Sequence, residues 1–128
     1  METEFLEGSN NTVERLLLID QNPAGAQALG LECLERGIGV SIVDNLCEAV
    51  RVIVDAPVSL IVADGALLRL TPRENAILFE RVAPGVPVVV TVRADAPLDQ
   101  RVGWEIAGFR VLSRPVVVEE LLEKTGVN

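Results

Sequence analysis

Histidine and tyrosine are both absent from the 128-residue sequence, and its aromatic residues amount to three Phe and one Trp. Without histidine, hydrolases of the Ser–His–acid kind lose their general base, and the sequence carries no nucleophile elbow. So few aromatics leave Val, Leu, Ile and Ala to build a core. Positive charge is scarce as well: 11 Lys and Arg stand against 19 Asp and Glu, a formal net charge of -8. Such a surface argues against nucleic acid or an anionic membrane as a direct partner, because phosphate contacts draw on clustered Lys and Arg. No apolar run approaches the ~20 residues of a membrane span. The opening METEFLEGSN is acidic and polar, unlike a secretory signal. A cytoplasmic location is therefore expected. Cysteine is limited to Cys33 and Cys47. A disulfide between them is compatible with the sequence, but two small buried hydrophobes in a reducing compartment fit better.

What is present suffices for one domain. Hydrophobic residues make up 49% and charged residues 23%, as in globular proteins. A chain of this length buries roughly two-thirds of its unfolded surface, so its core needs no staples.

After a polar lead-in over residues 1–13, expected to be flexible, RLLLID (Arg15 to Asp20) reads as a strand buried on both faces. Pro23 suits the first turn of a helix over 24–36, which Gly37 ends. A second strand follows over 38–43, and Asp44 is positioned to cap a helix running to about Asp55. VSLIVAD (Val58 to Asp64) is a third buried strand, after which Gly65 gives the backbone freedom to turn. Thr71, Pro72 and Glu74 spell a capping box with proline at the first helical position, for a helix reaching about Val82. PVVVTV (87–92) is a β-branched fourth strand, Asp95 to Ala107 a fourth helix, and FRVLS (Phe109 to Ser113) a fifth strand. A last helix passes through Leu121 and Leu122 and stops before Gly126. Strands spaced this way with helices between them predict an α/β, doubly wound parallel sheet of five strands covered on both faces.

In open parallel sheets, functional groups gather beyond the carboxyl ends of the strands. Asp20, Asp64, Thr91 and Arg114 fall at or just past those ends. Each alone could be a strand turning polar as it meets solvent. Together they point to a site, because two acids on neighbouring strands repel unless a cation offsets them. Mg²⁺ is the natural cation for a small all-oxygen site completed by water. A carboxylate beside it could accept a phosphoryl group, with a Thr hydroxyl and a cation meeting the transferred oxygens.

In order, placement and spacing these residues resemble the receiver domain of bacterial two-component response regulators, over about residues 14–125. Family members open with a strand ending in two acids, then a residue and a proline; LLLIDQNP matches with Asp20 as the first acid and Gln21 in place of the second. SLIVAD matches the phosphoacceptor strand with Asp64, and PVVVTV supplies the Ser or Thr of strand four as Thr91. Arg114-Pro115 matches the family's Lys-Pro pair, with Glu119-Glu120-Leu121 beyond, and the switch aromatic of strand five falls on Val111.

The resemblance implies a flavodoxin-like strand order 2-1-3-4-5. It also implies a metal held by Asp20, Asp64 and the backbone carbonyl of Ala66, with Gln21 a weak substitute for the usual acid. Asp64 would be phosphorylated by a histidine kinase or phosphotransfer protein, and Thr91 and Arg114 would move toward the added charge of roughly -1.5 to -2. Three positions depart from the pattern. Gln21 removes one charge from the metal site, where a charge pair at 4 Å is worth about 4 kcal/mol at an effective dielectric near 20. Arg114 replaces a compact ammonium with a planar fork. Val111 has no ring to report phosphorylation. The expectation is a divergent receiver or pseudo-receiver, a signalling module rather than an enzyme, with weak or absent Mg²⁺ and reduced phosphorylation. It would dock partner proteins on its fourth and fifth helices, with Trp104 and Val111 as candidates for the interaction surface, although core packing is the favoured reading of Trp104. A homodimer and an output domain in a longer parent chain are compatible. A working phosphoacceptor is the alternative. A flavodoxin-like ligand-binding or enzyme domain ranks last, because the turn Gln21-Asn22-Pro23-Ala24-Gly25 lacks the glycines a phosphate needs for close approach, and a P-loop is missing too.

Overall fold

The computed structural model describes residues 14–125; the polar lead-in and Gly126 lie outside them. The order is β1 (Arg15–Ile19), α1 (Pro23–Glu35), β2 (Gly39–Val43), α2 (Leu46–Asp55), β3 (Leu60–Asp64), a 3-10 turn (Gly65–Leu67), α3 (Pro72–Val82), β4 (Val88–Val92), α4 (Leu98–Ile106), β5 (Arg110–Ser113) and α5 (Val118–Thr125). All the strands pair in parallel, as the strand–helix alternation predicts, and in the order β2-β1-β3-β4-β5 that the resemblance implies.

The period-2 alternation of side chains divides the core. Leu17, Ile19, Ile61, Ala63, Val90 and Val111 face α2, α3 and α4. Leu16, Leu18, Val62, Val89 and Leu112 face α1 and α5, meeting Ala26, Leu29, Cys33, Val118 and Leu121. Central strands covered on both sides need continuous apolar runs, and β1, β3 and β4 have them.

Helix starts follow side-chain caps where these exist. Asn22 accepts from the Gly25 N–H ahead of Pro23, and Thr71 and Glu74 close both halves of the capping box. Two starts differ from the sequence expectation. Asn45, not Asp44, caps α2, its side chain accepting from the Glu48 N–H. Helix α4 begins at Leu98 instead of Asp95, because Asp95 pairs with Arg93 in the preceding turn and Pro97 offers no side-chain cap. The cysteines are both free; Cys33 is buried, whereas Cys47 is exposed, contrary to the expectation that both are buried. Among the described residues no helix is long and apolar enough to cross a membrane.

Candidate functional site

Strand parity places the site. Asp20, Asp64, Thr91 and Arg114 continue the alternation of Leu18, Val62, Val89 and Leu112, so all four belong to the sheet face covered by α1 and α5. The ladder carries on into the two residues just beyond their strands: the Asp20 N–H donates to Val43 O and the Arg114 N–H to Val92 O, both at 2.9 Å. Asp64 and Thr91 are direct partners in the β3–β4 register. The sequence expectation that these four residues converge on one rim is therefore met in space.

The guanidinium of Arg114 spans the two acids. Its Nη1 donates to Asp64 Oδ2 at 3.1 Å, and its Nη2 donates to Asp20 Oδ2. The other carboxylate oxygens are held by backbone: Asp20 Oδ1 accepts from the Asn22 N–H at 2.9 Å, and Asp64 Oδ1 from the Ala66 N–H at 3.0 Å. All four carboxylate oxygens thus accept a hydrogen bond. The three side chains are 27% (Arg114), 11% (Asp20) and 16% (Asp64) exposed, so the pairs are well shielded from water. Burial alone would lower the Arg114 pKa, but the hydrogen bond with Asp20 and the charges of Asp64 and Asp20 outweigh it, and the group ends above the ordinary arginine value.

Thr91 is buried, and its hydroxyl donates to Ala63 O at the long distance of 3.5 Å. Beside it, a cavity of about 580 Å³ opens between α1 and the β5–α5 connection, floored by Leu18, Leu29 and Val62 with Thr91 and Arg114 at its polar side. Gln21 is exposed.

Trp104 is a core residue with 5% exposure, in line with its favoured reading, and Val111, expected at an interaction surface, is a core residue too, with 2% exposure. The Trp104 indole packs edge-on against Phe109, with ring centroids 5.4 Å apart, and Val111 belongs to the same apolar cluster. One site residue escaped the sequence reading in its real role. Gly65 has no positive φ, so backbone freedom is not why glycine stands there. A Cβ at that position would lie 3.2 Å from Val90 Cγ1 and 3.4 Å from both Thr91 O and Trp104 Nε1. Space is thus what a side chain there would contend for, and a lone Gly right after a strand-end acid was the available signal.

Five parallel strands in this order, with acids ending the two central ones, define a class: the chain has the fold of response-regulator receiver domains. No family model matches it. Its sequence is 28% identical over 111 residues to the transcriptional regulatory proteins GlrR of Escherichia coli K12 and QseF of E. coli O157:H7. That stretch covers 84% of this chain, and the chain spans only 24% of the length of those relatives. The fold is similar, with a TM-score of 0.75, to a response regulator of Burkholderia pseudomallei solved with a phosphorylated aspartic acid, calcium ion and citrate (22% identity; 87% of this chain, 65% of that one). It is also similar, with a TM-score of 0.69, to the receiver domain of a Pseudomonas aeruginosa sensor histidine kinase with a magnesium ion in its active site cleft (23% identity; 86% and 92% covered).

The metal that this fold class implies does not fit the residues as they are arranged here. Mg²⁺ demands near-octahedral oxygen ligation. Yet one oxygen of each carboxylate is taken by a guanidinium and the other by a backbone N–H. Gln21, the weak substitute for a second acid beside Asp20, is exposed and brings no charge. Among the described residues there is no group of three or more His, Cys, Asp or Glu that could hold a metal ion.

Proposed function

We propose that the chain is a divergent receiver domain, a cytoplasmic signalling and protein-interaction module in which phosphoryl transfer to Asp64 is curtailed. The observation that carries this reading is the bridge from Arg114 to both Asp20 and Asp64. Each Asp64 oxygen keeps a second lone pair, but Oδ2 is bound by a cation and Oδ1 by a backbone N–H. Both interactions stabilise the carboxylate and blunt it as a nucleophile.

The second reading, a working phosphoacceptor, is favoured by the convergence of Asp20, Asp64, Thr91 and Arg114 beside an open cavity. In that case Arg114 swings off Asp64 and follows the phosphoryl oxygens. The freed carboxylate oxygen bonds to phosphorus as the bond from phosphorus to the donor's nitrogen breaks, and that nitrogen keeps the electron pair. A histidine kinase or a phosphotransfer protein is the donor in this reading, and an output domain elsewhere in a longer parent chain would receive the signal.

Support for an interaction role comes from α4. Leu98, Val102 and Ile106 recur every fourth residue on its outer face and are 75%, 38% and 81% exposed. A protein partner would dock on that face and on α5.

Intact-mass measurement after incubation with a small-molecule phosphodonor, beside an Asp64→Asn control, tests the proposal. Little or no gain of one phosphoryl mass supports it. Ready, stoichiometric gain that is absent from the control overturns it in favour of the second reading.

A further inference from the structure

We propose that the guanidinium of Arg114 is the resident cation of the strand-end site, and that it keeps divalent metal ions out. This rests on the receiver reading and deepens it, because it names what has taken the metal's place.

Two acids end adjacent central strands, and their side chains are only 11% and 16% exposed. Like charges so placed need a counter-charge, and the fold supplies one from its own chain. A guanidinium carries its donors in a rigid planar fork, so a single group meets Asp64 through Nη1 and Asp20 through Nη2 at once. An ammonium is a point charge without that fork. The backbone holds the arrangement from below: the Arg114 N–H is fixed to Val92 O, and the remaining carboxylate oxygens are tied to Asn22 and Ala66.

A dication entering this site would have to break two ion pairs and sit beside a displaced guanidinium, which repels it. It would also lack a third acid, since Gln21 is neutral and exposed. With Arg114 held at both carboxylates, the cluster carries a net single negative charge instead of two. A neutral Gln21 and the Arg114 fork therefore act in the same direction. With fewer negative charges the site no longer holds a metal firmly, and the fork stabilises the two that remain.

Magnesium titration of the full chain by calorimetry and by thermal denaturation, at matched ionic strength, tests this. Trp104 emission is a local reporter, because the indole lies over Gly65 next to Asp64. The wild type is expected to show no saturable Mg²⁺ heat and no rise in Tm at millimolar MgCl2. Arg114→Gln is expected to bind Mg²⁺ at least roughly tenfold more tightly, and its Tm should rise as the metal is added. Wild-type binding as tight as the variant's overturns the proposal, as does a folded Arg114→Gln that ignores Mg²⁺. If that variant does not fold, Arg114→Lys decides: affinity above wild type supports the proposal, and affinity equal to wild type overturns it. The phosphodonor assay on the same samples separates the two levels. Ready phosphorylation of a wild type that binds no Mg²⁺ sinks the reading of curtailed phosphorylation and leaves the resident cation standing, whereas tight wild-type Mg²⁺ binding sinks the resident cation.

Discussion

The indole of Trp104 closes over Gly65 so tightly that a Cβ built on Gly65 would stand 3.4 Å from its Nε1 and 3.2 Å from Val90 Cγ1. The segment that follows the Asp64 carboxylate thereby packs against α4 at this point. An alanine there would contribute about 0.4–1 kcal/mol by restricting the unfolded chain, but overpacking costs about 1–3 kcal/mol and wins. Gly65→Ala should lower the urea midpoint without changing the slope, and should shift Trp104 emission. An unchanged midpoint with an identical spectrum would mean that the pocket has room to spare.

What was legible in the sequence and what was not follow from the range of the interactions. The four rim residues could be found because polar groups stood out at the ends of apolar parallel strands, and period 2 then put them on one face. Thr71 and Asn22 act on N–H groups within three residues, so the starts at Pro72 and Pro23 were visible. The start of α4 was not, since Pro97 leaves no side-chain signal. Trp104 stayed open to both a core and an interface reading, because part of what lies against its indole is Gly65, remote in sequence beyond β3. The double engagement of Arg114 was hidden for the same reason: sequence places the residue past β5, but the fork reaches both acids only once β1, β3 and β5 are assembled.

Capping gives a paired prediction. Asn45→Ala and Thr71→Ala should each cost about 1 kcal/mol, because each leaves a first-turn N–H without its side-chain acceptor. Asp44→Ala should cost less, since Asp44 only accepts from the Asn45 side chain. Chemical denaturation of the three variants checks the order, and equal losses at positions 44 and 45 would contradict the assignment of Asn45 as the cap.

The two thiols should behave differently. Cys47 is exposed and Cys33 buried, so a thiol reagent should label one residue in the native protein and both after denaturation. Burial, helped by the charge of Glu32 and opposed by Arg36, raises the Cys33 pKa above the ordinary thiol value. A raised folded-state pKa means that the native state keeps its proton longer than the unfolded chain does. The contribution is complete below the unfolded thiol pKa and is lost as pH climbs from there through the folded value. Stability should fall in that alkaline window, by at most about 1.4 kcal/mol per pH unit from this group. Cys33→Ala should remove that part of the slope, whatever it costs in packing. An unaltered slope would assign the alkaline loss to other groups.

The bridge from Arg114 to Asp20 and Asp64 predicts a reversal of sign. In the wild type, Asp64→Asn breaks one partly buried ion pair and leaves Asp20 paired, so it should destabilise, by about 1 kcal/mol once residual exposure is discounted. In an Arg114→Gln background two acids confront each other with no counter-charge, and the same Asp64→Asn change removes the repulsion. There it should stabilise. Arg114→Gln alone should be the worst of the set, at about 1–3 kcal/mol, because it strands two shielded charges instead of one. Coupling between the two substitutions should lie within about 0.5–3 kcal/mol, the range for residues in direct contact. Added salt should shrink it only modestly, since these groups are mostly shielded from solvent. Urea denaturation of the wild type, the two single variants and the double variant, in metal-free buffer, measures all of it. If Asp64→Asn destabilises equally in both backgrounds, Arg114 is not what holds the two carboxylates together, and the resident-cation proposal falls with the bridge.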